Sequence, residues 1–314
     1  MNTSSPAAVA APSPATATPV RIGVIGLGRM GTAFARNLIE DGFPTVVYDR
    51  DAARMDALRA SGAQIASGWS ALADCSVVLS ILPDDTAALD VAERLSEVLR
   101  TSAVHVSMST ISPHASREAA HLHGTLGQGY VAAPILGNPD LAAARKVFVL
   151  MSGDSEDQQC CLPVLERLGQ KVFNIGEDPG LASTLKLAGN ALTAATLQSM
   201  GEVLTFVRKA GIDPKLAFSV FTESLFDGKV HKTYGGKIVE RRYSPPGMTV
   251  PLAIKDLRLA LAEAENVAAP MPVTSIVHDR LVTVSALGWS GLDWSALGKL
   301  AEFSAGLEAG DASR

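Results

Sequence analysis

A lysine and an asparagine, Lys186 and Asn190, stand four residues apart in a segment that is otherwise largely apolar. At this spacing two side chains share one face of an α-helix. A lysine partly withdrawn from water has its pKa lowered from about 10.4, so it can donate a proton to an oxygen that gains negative charge. The alternative is a surface lysine on an amphipathic helix, which would be the default without further motifs. The chemistry that the pair offers is acid–base catalysis beside a carbonyl or hydroxyl group.

A glycine-rich turn near the N-terminus offers a second function, the binding of a dinucleotide. Gly26, Gly28 and Gly31 follow the apolar run 20–25 and open an amphipathic segment that extends to about Ile39. The first glycine permits a tight turn, the second lets the backbone approach a pyrophosphate, and the third lets helix and strand pack closely. The phosphates would lie at the helix N-terminus, where free N–H groups favour an anion. The predicted contacts are those of the whole turn: Gly26, Leu27, Gly28, Arg29, Met30 and Gly31.

The residues after the second predicted strand, 45–48, bear on the choice between NAD and NADP. Asp49 lies 18 positions beyond Gly31 and can accept hydrogen bonds from both ribose hydroxyls, whereas it would repel a 2′-phosphate. Arg50 and Arg54 oppose this choice, because a guanidinium can bind that phosphate or stack on adenine. The same arginines also fit the solvated start of a helix. We expect a weak preference for NAD, with all three side chains beside the cofactor.

Four further residues are expected at the carboxyl ends of predicted strands, where open α/β sheets bind their ligands. Leu82 and Pro83 end one apolar run, and Ser109 and Thr110 follow the next. The two hydroxyl residues would also serve as N-caps of the following helix without any ligand. Because their position coincides with the expected cofactor crevice, we favour contact with a ligand.

The elements that must position these residues divide the chain near residue 178. Before it, apolar strands alternate with helix-length segments, which is typical of a parallel sheet covered by helices on both faces. After it no strand pattern recurs. The predicted strands are 20–25, 45–48, 76–82, 103–106, 131–132, 146–151 and 171–173, with helices at 154–168, 213–224, 251–267, 271–287 and 293–305. The predicted parts are a disordered tail at 1–19, a Rossmann-type doubly wound α/β domain at 20–178, and an all-α domain at 179–314 whose last residues, 306–314, are frayed.

One long helix is expected to join the two domains. Asp178 is a candidate N-cap, Pro179 suits the first helical position, and the apolar pattern continues until Gly211. Roughly 30 residues at 1.5 Å each give about 45 Å, which is too long for one small domain. Lys186 and Asn190 therefore lie near the start of an interdomain helix.

Composition limits the partners. The 314 residues are 47% hydrophobic with a net charge of −5, so nothing indicates nucleic acid or an anionic membrane as a partner. No run of 18 apolar residues is present, and the first 20 residues lack the basic start and apolar core of a signal peptide. Three cysteines cannot form a disulfide framework, and six histidines show no metal-ligand spacing. We expect a cytoplasmic protein without a bound metal.

Several motifs, taken together and in this order, resemble the β-hydroxyacid dehydrogenase family, which includes 3-hydroxyisobutyrate dehydrogenase, tartronate semialdehyde reductase and related imine reductases. The motifs lie at 26–31, 109–113, 133–138 and 180–190, and a fifth, Lys255-Asp256-Leu257, matches a signature near the cofactor in the helical domain. The resemblance covers about residues 20–306, nearly the whole chain.

The resemblance implies an NAD(P)-dependent oxidoreductase that transfers hydride between nicotinamide and a carbonyl or hydroxyl carbon of a 3-hydroxyacid or semialdehyde. Lys186 would then be the catalytic acid, Asn190 would hold it and the substrate, and Ser109 would assist. Substrate contacts are implied for Ser109, Leu136, Gly137, Asn138 and Asn190, and a cofactor contact is implied for Lys255. The resemblance also implies a homodimer with interlocked helical domains, in which the second subunit completes the cleft.

The chain departs from the family pattern at substrate positions. The family usually has Asp at the position of Ser107, and a Ser-Gly-Gly run where this chain has Leu136-Gly137-Asn138. Those groups normally hold the substrate carboxylate, so the departures put a small hydroxyacid substrate in question. Ala182 and Gly189 replace a glycine and an asparagine of the family. Imine reductases commonly carry Asp or Tyr in place of the lysine; an imine reductase and a non-catalytic cofactor-binding dimer are the alternatives.

Overall fold

The computed structural model describes residues 20–307. The tail predicted at 1–19, and all but the first two residues of the tail predicted at 306–314, lie outside the described residues. Residues 20–307 form a sheet-containing part followed by an all-helical part, which confirms the predicted fold class.

The first part is built on one nine-stranded sheet. Its strands are β1 (Ile22–Ile25), β2 (Thr45–Tyr48), β3 (Gln64–Ile65), β4 (Val77–Ser80), β5 (Val104–Ser107), β6 (Gly129–Ala132), β7 (Ile135–Leu136), β8 (Val147–Gly153) and β9 (Gly169–Gly176). The first six are parallel in the order β3-β2-β1-β4-β5-β6, so the strand order reverses between β1 and β4. Strands β1, β4, β5 and β6 are buried along their whole length, because helices cover both faces of the sheet.

The last three strands extend the sheet beyond β6. Strands β6 and β7 pair antiparallel with successive parts of β8, and β9 runs parallel to β8. Strand β9 is longer than the predicted strand 171–173, because pairing with β8 continues through polar residues. Strands β3 and β7 were not predicted, since two residues are too few to show an alternating pattern.

Six helices cover the sheet. They are α1 (Arg29–Glu40), α2 (Ala52–Arg59), α3 (Asp85–Val98), α4 (Pro113–Gly124), α5 (Pro139–Ala143) and α6 (Ser155–Leu168). On one face, Phe34 and Leu38 of α1 pack with Leu165 and Leu168 of α6 in the largest apolar cluster. Five of the helices begin at a side-chain cap, and α1 does not.

The 30-residue helix α7 (Gly180–Lys209) lies between the two parts. It begins one residue after Pro179, where Asp178 Oδ1 accepts a hydrogen bond from Gly180 N (2.9 Å). Hydrogen bonding from Arg117, whose guanidinium lies 2.8 Å from Asp178, lowers the pKa of that carboxyl. The first turn is tied to the sheet by Ser152, whose Oγ accepts a hydrogen bond from Ala182 N (3.1 Å).

The helical part packs around the rest of α7. Its helices are α8 (Pro214–Thr222), α9 (Gly236–Val239), α10 (Val250–Asn266), α11 (Pro272–Val284) and α12 (Leu297–Ser304). Helices α7 and α12 approach so closely that a Cβ added at Gly201 would lie 2.8 Å from Gly298 Cα. The predicted helix 271–287 ends earlier as an α-helix and continues as a π-helical turn that is kinked at Gly288 (φ 80°). Among the helices of residues 20–307, none is both long and apolar enough to cross a bilayer.

A buried chain of hydrogen bonds begins at the carboxyl end of β4. Ser80 Oγ lies 2.8 Å from His105 Nε2, His105 Nδ1 lies 2.9 Å from His123 Nε2, and His123 Nδ1 lies 2.7 Å from Gln128 Oε1. Gln128 Nε2 donates to Leu99 O (2.7 Å), which leaves the Gln128 oxygen as an acceptor. Each imidazole therefore donates from Nδ1 and accepts at Nε2, and Ser80 donates. Burial lowers the pKa of both histidines, so they remain neutral at pH 7.

Candidate active site

The glycine turn has the geometry that a bound dinucleotide requires. Gly26 has a φ of +86°, and a Cβ at this position would collide with Ile81 O. A Cβ at Gly31 would collide with Gly26 O, so the third glycine allows α1 to lie against the turn. A Cβ at Gly28 would meet no atom within 4 Å, so this residue faces open space. The turn thus combines two sterically required glycines with one that leaves room for a ligand.

The N-terminus of α1 is suited to a pyrophosphate. Gly28 is its N-cap, and no side chain in the described residues caps it. The N–H groups of its first turn therefore point at the open space beside Gly28, where the helix dipole favours an anion. Arg29 donates to Pro246 O (2.6 Å) in the helical part, and Met30 packs against the core of the sheet. The residues present fit the dinucleotide that the sequence predicts.

The predicted ribose residue is held against the same turn. Asp49 accepts hydrogen bonds from Leu27 N (2.6 Å) at Oδ2 and from Asp51 N (2.8 Å) at Oδ1. Arg54 lies 3.8 Å from Asp49 and 3.3 Å from Asp51, so its charge is shared between two carboxylates. Arg50 is exposed. A cleft of about 640 Å³ opens here, lined by residues of the turn, by Arg54 and by the start of α5.

Neither Ser109 nor Thr110 caps the following helix α4, because the N-cap of α4 is Ser112. The Oγ of Ser109 accepts a hydrogen bond from Leu82 N (2.9 Å) and lies 3.4 Å from Ser80 O. The hydroxyl therefore links the ends of β4 and β5, and within the described residues it forms no hydrogen bond with Lys186. Pro83, which follows Leu82 in the chain, is exposed at the same edge of the sheet.

Lys186 and Asn190 meet as their spacing predicts. Lys186 is 8% exposed, and its Nζ donates a hydrogen bond to Asn190 Oδ1 (3.0 Å). Burial lowers the pKa of Lys186 to about 8; the nearby Asp256 carboxylate opposes this shift, and Lys255 adds to it. At neutral pH the ammonium is thus a stronger acid than a free lysine, and its neutral form is accessible.

Asp256 completes the unit and was not among the predicted site residues. Its Oδ2 accepts a hydrogen bond from Asn190 Nδ2 (2.6 Å), and its Oδ1 lies 2.9 Å from Lys255 Nζ. Lys255 also donates to Thr110 O at the end of β5, so the unit connects α7 and α10 to the edge of the sheet. The sequence does carry a signal for Asp256. It occupies an inward-facing position of α10 with Ala253, Leu257 and Ala260, where an unpaired carboxylate would be costly.

The segment 136–138 comprises the last residue of β7 and the turn after it, and it adjoins α7. Leu136 Cδ2 would lie 3.1 Å from a Cβ placed on Gly189, one residue before Asn190. Gly137 has a φ of +155°, and its space is closed by Val147. Asn138 caps α5 by accepting a hydrogen bond from Leu141 N (2.9 Å). Of the three predicted substrate residues in this segment, Leu136 is the one whose side chain contacts α7, the helix that carries Lys186.

The structure thus brings Lys186, Asn190, Asp256, Lys255 and the Thr110 carbonyl into one connected unit beside the carboxyl end of β5. Ser109 and Asn138 satisfy backbone groups instead. In residues 20–307, no group of three or more His, Cys, Asp or Glu side chains is placed to hold a metal ion.

Comparisons with known proteins agree with this architecture. The NAD-binding domain of 6-phosphogluconate dehydrogenase matches residues 21–176, and the NAD-binding region of NADP-dependent 3-hydroxyisobutyrate dehydrogenase matches residues 180–301. The oxidoreductase YfjR of Bacillus subtilis is 34% identical over 282 residues, which cover 88% of this chain and 98% of YfjR.

Solved structures show the same fold. A 3-hydroxyisobutyrate dehydrogenase from Salmonella typhimurium superposes with a TM-score of 0.81 at 24% identity, covering 89% of this chain and 99% of that one. An imine reductase from Pseudomonas sp. superposes with a TM-score of 0.62 at 24% identity, covering 90% and 99%. The chain belongs to the β-hydroxyacid dehydrogenase family and is an NAD(P)-dependent oxidoreductase.

Proposed function

We propose that the enzyme interconverts a carbonyl compound and its alcohol, with Lys186 as the general acid of reduction and the general base of oxidation. The observation that carries this proposal is the buried Lys186 ammonium, hydrogen-bonded to Asn190 and connected through it to Asp256. A buried amine with one amide partner and a lowered pKa is suited to giving up and recovering a proton near neutral pH.

The chain's own residues account for the steps around the reacting carbon. When bound, the nicotinamide would supply or accept the hydride. The 26–31 turn and the N-terminus of α1 would hold the pyrophosphate, and the end of β2 would hold the adenosine. Lys186 Nζ donates a proton to the substrate oxygen as that oxygen becomes an alkoxide. In the reverse direction the neutral amine removes the hydroxyl proton.

Asn190, Asp256 and Lys255 position and tune the acid. The Asp256 carboxylate accepts from Asn190 Nδ2, which turns the amide oxygen toward Lys186 and fixes the ammonium on one side of α7. Lys255 balances the carboxylate and ties it to Thr110 O. We assign these three residues to positioning, and proton transfer to Lys186 alone.

We propose that NAD is preferred over NADP. The Asp49 carboxylate is fixed by two backbone N–H groups at the end of β2, where the ribose hydroxyls of the cofactor bind in this fold. Arg54, the candidate ligand of a 2′-phosphate, already lies near two carboxylates. A phosphate at this position would meet the negative charge of Asp49 before it could recruit Arg54.

We also propose a homodimer. Five exposed apolar side chains of α7 fall within about 60° on a helical wheel of 100° per residue: Leu181, Leu185, Leu192, Val203 and Phe206. Apolar exposure continues on neighbouring elements, where Leu225 is 89% exposed. A second copy that covers this stripe would lie next to Gly189 and hence beside the substrate cleft. This supports a cleft that the partner subunit completes.

The test is oxidation of NADH and NADPH against a panel of aldehydes, ketones and cyclic imines. Turnover of carbonyl compounds with little turnover of imines supports the proposal. A preference for C=N substrates would make the enzyme an imine reductase instead. Cofactor binding without turnover of any substrate would indicate a non-catalytic binding module.

A further inference from the structure

We infer that the substrate is an aldehyde or ketone without a carboxylate near the reacting carbon, and that Leu136 against Gly189 forms an apolar wall for its substituent. This inference rests on the proposed carbonyl reduction at Lys186 and adds the class of substrate. It would make Leu136 a specificity-determining residue.

The position of Lys186 fixes where the substituent lies. The substrate oxygen must approach Lys186 Nζ to about 3 Å for proton transfer. Gly189 is three residues further along α7, so it shares the helix face of Lys186. A substituent that extends along this face passes Gly189, which has no side chain, and meets Leu136.

The wall is rigid. Leu136 belongs to β7, whose two residues pair with Val149 and Phe148 of β8. Its side chain is half-buried and packs with the apolar cluster that contains Ala182. A side chain at position 189 would press on Leu136 from 3.1 Å, so the two positions are coupled: a bulky residue at one requires a small residue at the other.

The charges around the wall do not suit a carboxylate. In the described residues the cations of this unit are Lys186, which is the acid, and Lys255, which is paired with Asp256. Arg117, near the start of α7, is bound to Asp178. Two further lysines, Lys171 and Lys229, lie over the rings of Phe173 and Phe148, at 4.5 and 5.1 Å from the ring centroids. A carboxylate placed against Leu136 would lose hydration and would gain a cationic partner only if one of these lysines left its ring, which is unfavourable. An ester, an amide or an alkyl group loses much less on leaving water.

The first experiment measures kcat/KM at pH 7 for two matched aldehydes, 4-oxobutanoate and its methyl ester. We expect the ester to be preferred by at least about tenfold, the size of one unsatisfied polar contact. Leu136→Ser should reduce this preference by at least about tenfold. The control is Leu126→Ser, the same substitution at a half-exposed leucine in the turn after α4; it should retain the wild-type preference.

A second measurement does not depend on turnover. Butanamide and butanoate, which cannot be reduced, are titrated against the cofactor-loaded enzyme and followed by tryptophan fluorescence. We expect the amide to bind at least about tenfold more tightly, and Leu136→Ser to remove the difference.

The outcomes separate the two proposals. Tighter binding of butanoate, or a higher kcat/KM for 4-oxobutanoate, overturns the apolar wall while carbonyl reduction stands. If no aldehyde is reduced although cofactor binds, carbonyl reduction fails, and with it the assignment of a substrate class. If the wild-type preference is unchanged in Leu136→Ser, Leu136 is not the residue that sets it, and the inference is wrong.

Discussion

The charge on Asp256 is expected to set the pH at which the enzyme loses activity. If Lys186 is the acid of reduction, as proposed, kcat/KM for a carbonyl substrate should be constant at low pH and fall as the pH rises through about 8. The Asp256 carboxylate raises the pKa of Lys186 from two hydrogen bonds away, at 3.0 and 2.6 Å through Asn190. Replacing Asp256 by an uncharged isostere must therefore move the alkaline limb of the pH profile, the range in which kcat/KM falls, to lower pH.

The size of this shift follows from the distance. An opposite charge within about 4–6 Å shifts a pKa by about 1–3 units, and a partner on the far side of an amide belongs at the low end. Asp256→Asn should therefore move the limb down by about one unit. At pH 8 the protonated fraction of Lys186 would drop from about a half to about a tenth, which is roughly a fivefold loss of kcat/KM, whereas the loss at pH 6 would be small.

Lys255→Met should shift the pH profile in the opposite direction, because Lys255 lowers the pKa of Lys186. The pH at which kcat/KM falls should rise by a fraction of a unit to about one unit. Arg258→Met is the matched control: Arg258 lies on the same helix but is exposed, and the limb should stay in place. The assay is kcat/KM from pH 5.5 to 9.5 for all four proteins. If Asp256→Asn and Lys255→Met shift in the same direction, or not at all, Asp256 does not tune Lys186.

Three further predictions concern the cofactor, stability and assembly. Asp49→Asn removes a charge that repels a 2′-phosphate, so the ratio of kcat/KM for NADPH over NADH should rise at least about tenfold; a wild type that strongly prefers NADPH would contradict this. Burial lowers the pKa of His105 and His123 in the folded protein, whereas in the unfolded chain each histidine has a pKa near 6.5. As the pH drops from about 7 to about 5, the unfolded chain therefore takes up protons before the folded protein does, and the free energy of unfolding should fall. Urea titrations should show a shallower fall in His123→Gln and the wild-type fall in the exposed control His121→Gln. Light scattering at micromolar concentration should give a dimer, and a mass near the 32.7 kDa of one chain would refute it.

Much of the fold could be predicted from local patterns. The apolar strands with intervening helices, the glycine turn and the long α7 each carry a periodicity or a residue type that only one element satisfies. The contact between Lys186 and Asn190 follows directly from their spacing. Short elements such as β7 and α9 were missed, because their few residues owe their conformation to neighbours distant in sequence.

The candidate site shows where sequence reasoning ends. Asp256 lies in the motif 255–257 and on the buried face of α10, but its partner Asn190 is 66 positions away in the chain, and no local pattern identifies that contact. Asn138 precedes Pro139 and caps α5, and this Asn-Pro pair is a recognisable helix start. Because Asn138 also lies in a family motif, the resemblance implies a contact with the substrate instead. Ser109 joins two strand ends, a role that depends on the register of the sheet.

The most direct test of the account is Lys186→Met. The side chain keeps its length and apolar stem but loses its proton and charge, so the helix and the fold should persist. Cofactor affinity, measured by fluorescence, should be close to that of the wild type, because the proposed contacts to the cofactor's phosphates and adenosine lie elsewhere, at the 26–31 turn and the end of β2. The rate of hydride transfer in single turnover at pH 7 should fall by about 10²-fold or more, the usual contribution of a positioned acid. A variant that binds cofactor normally and transfers hydride within about threefold of the wild-type rate would contradict the central claim that Lys186 is the acid.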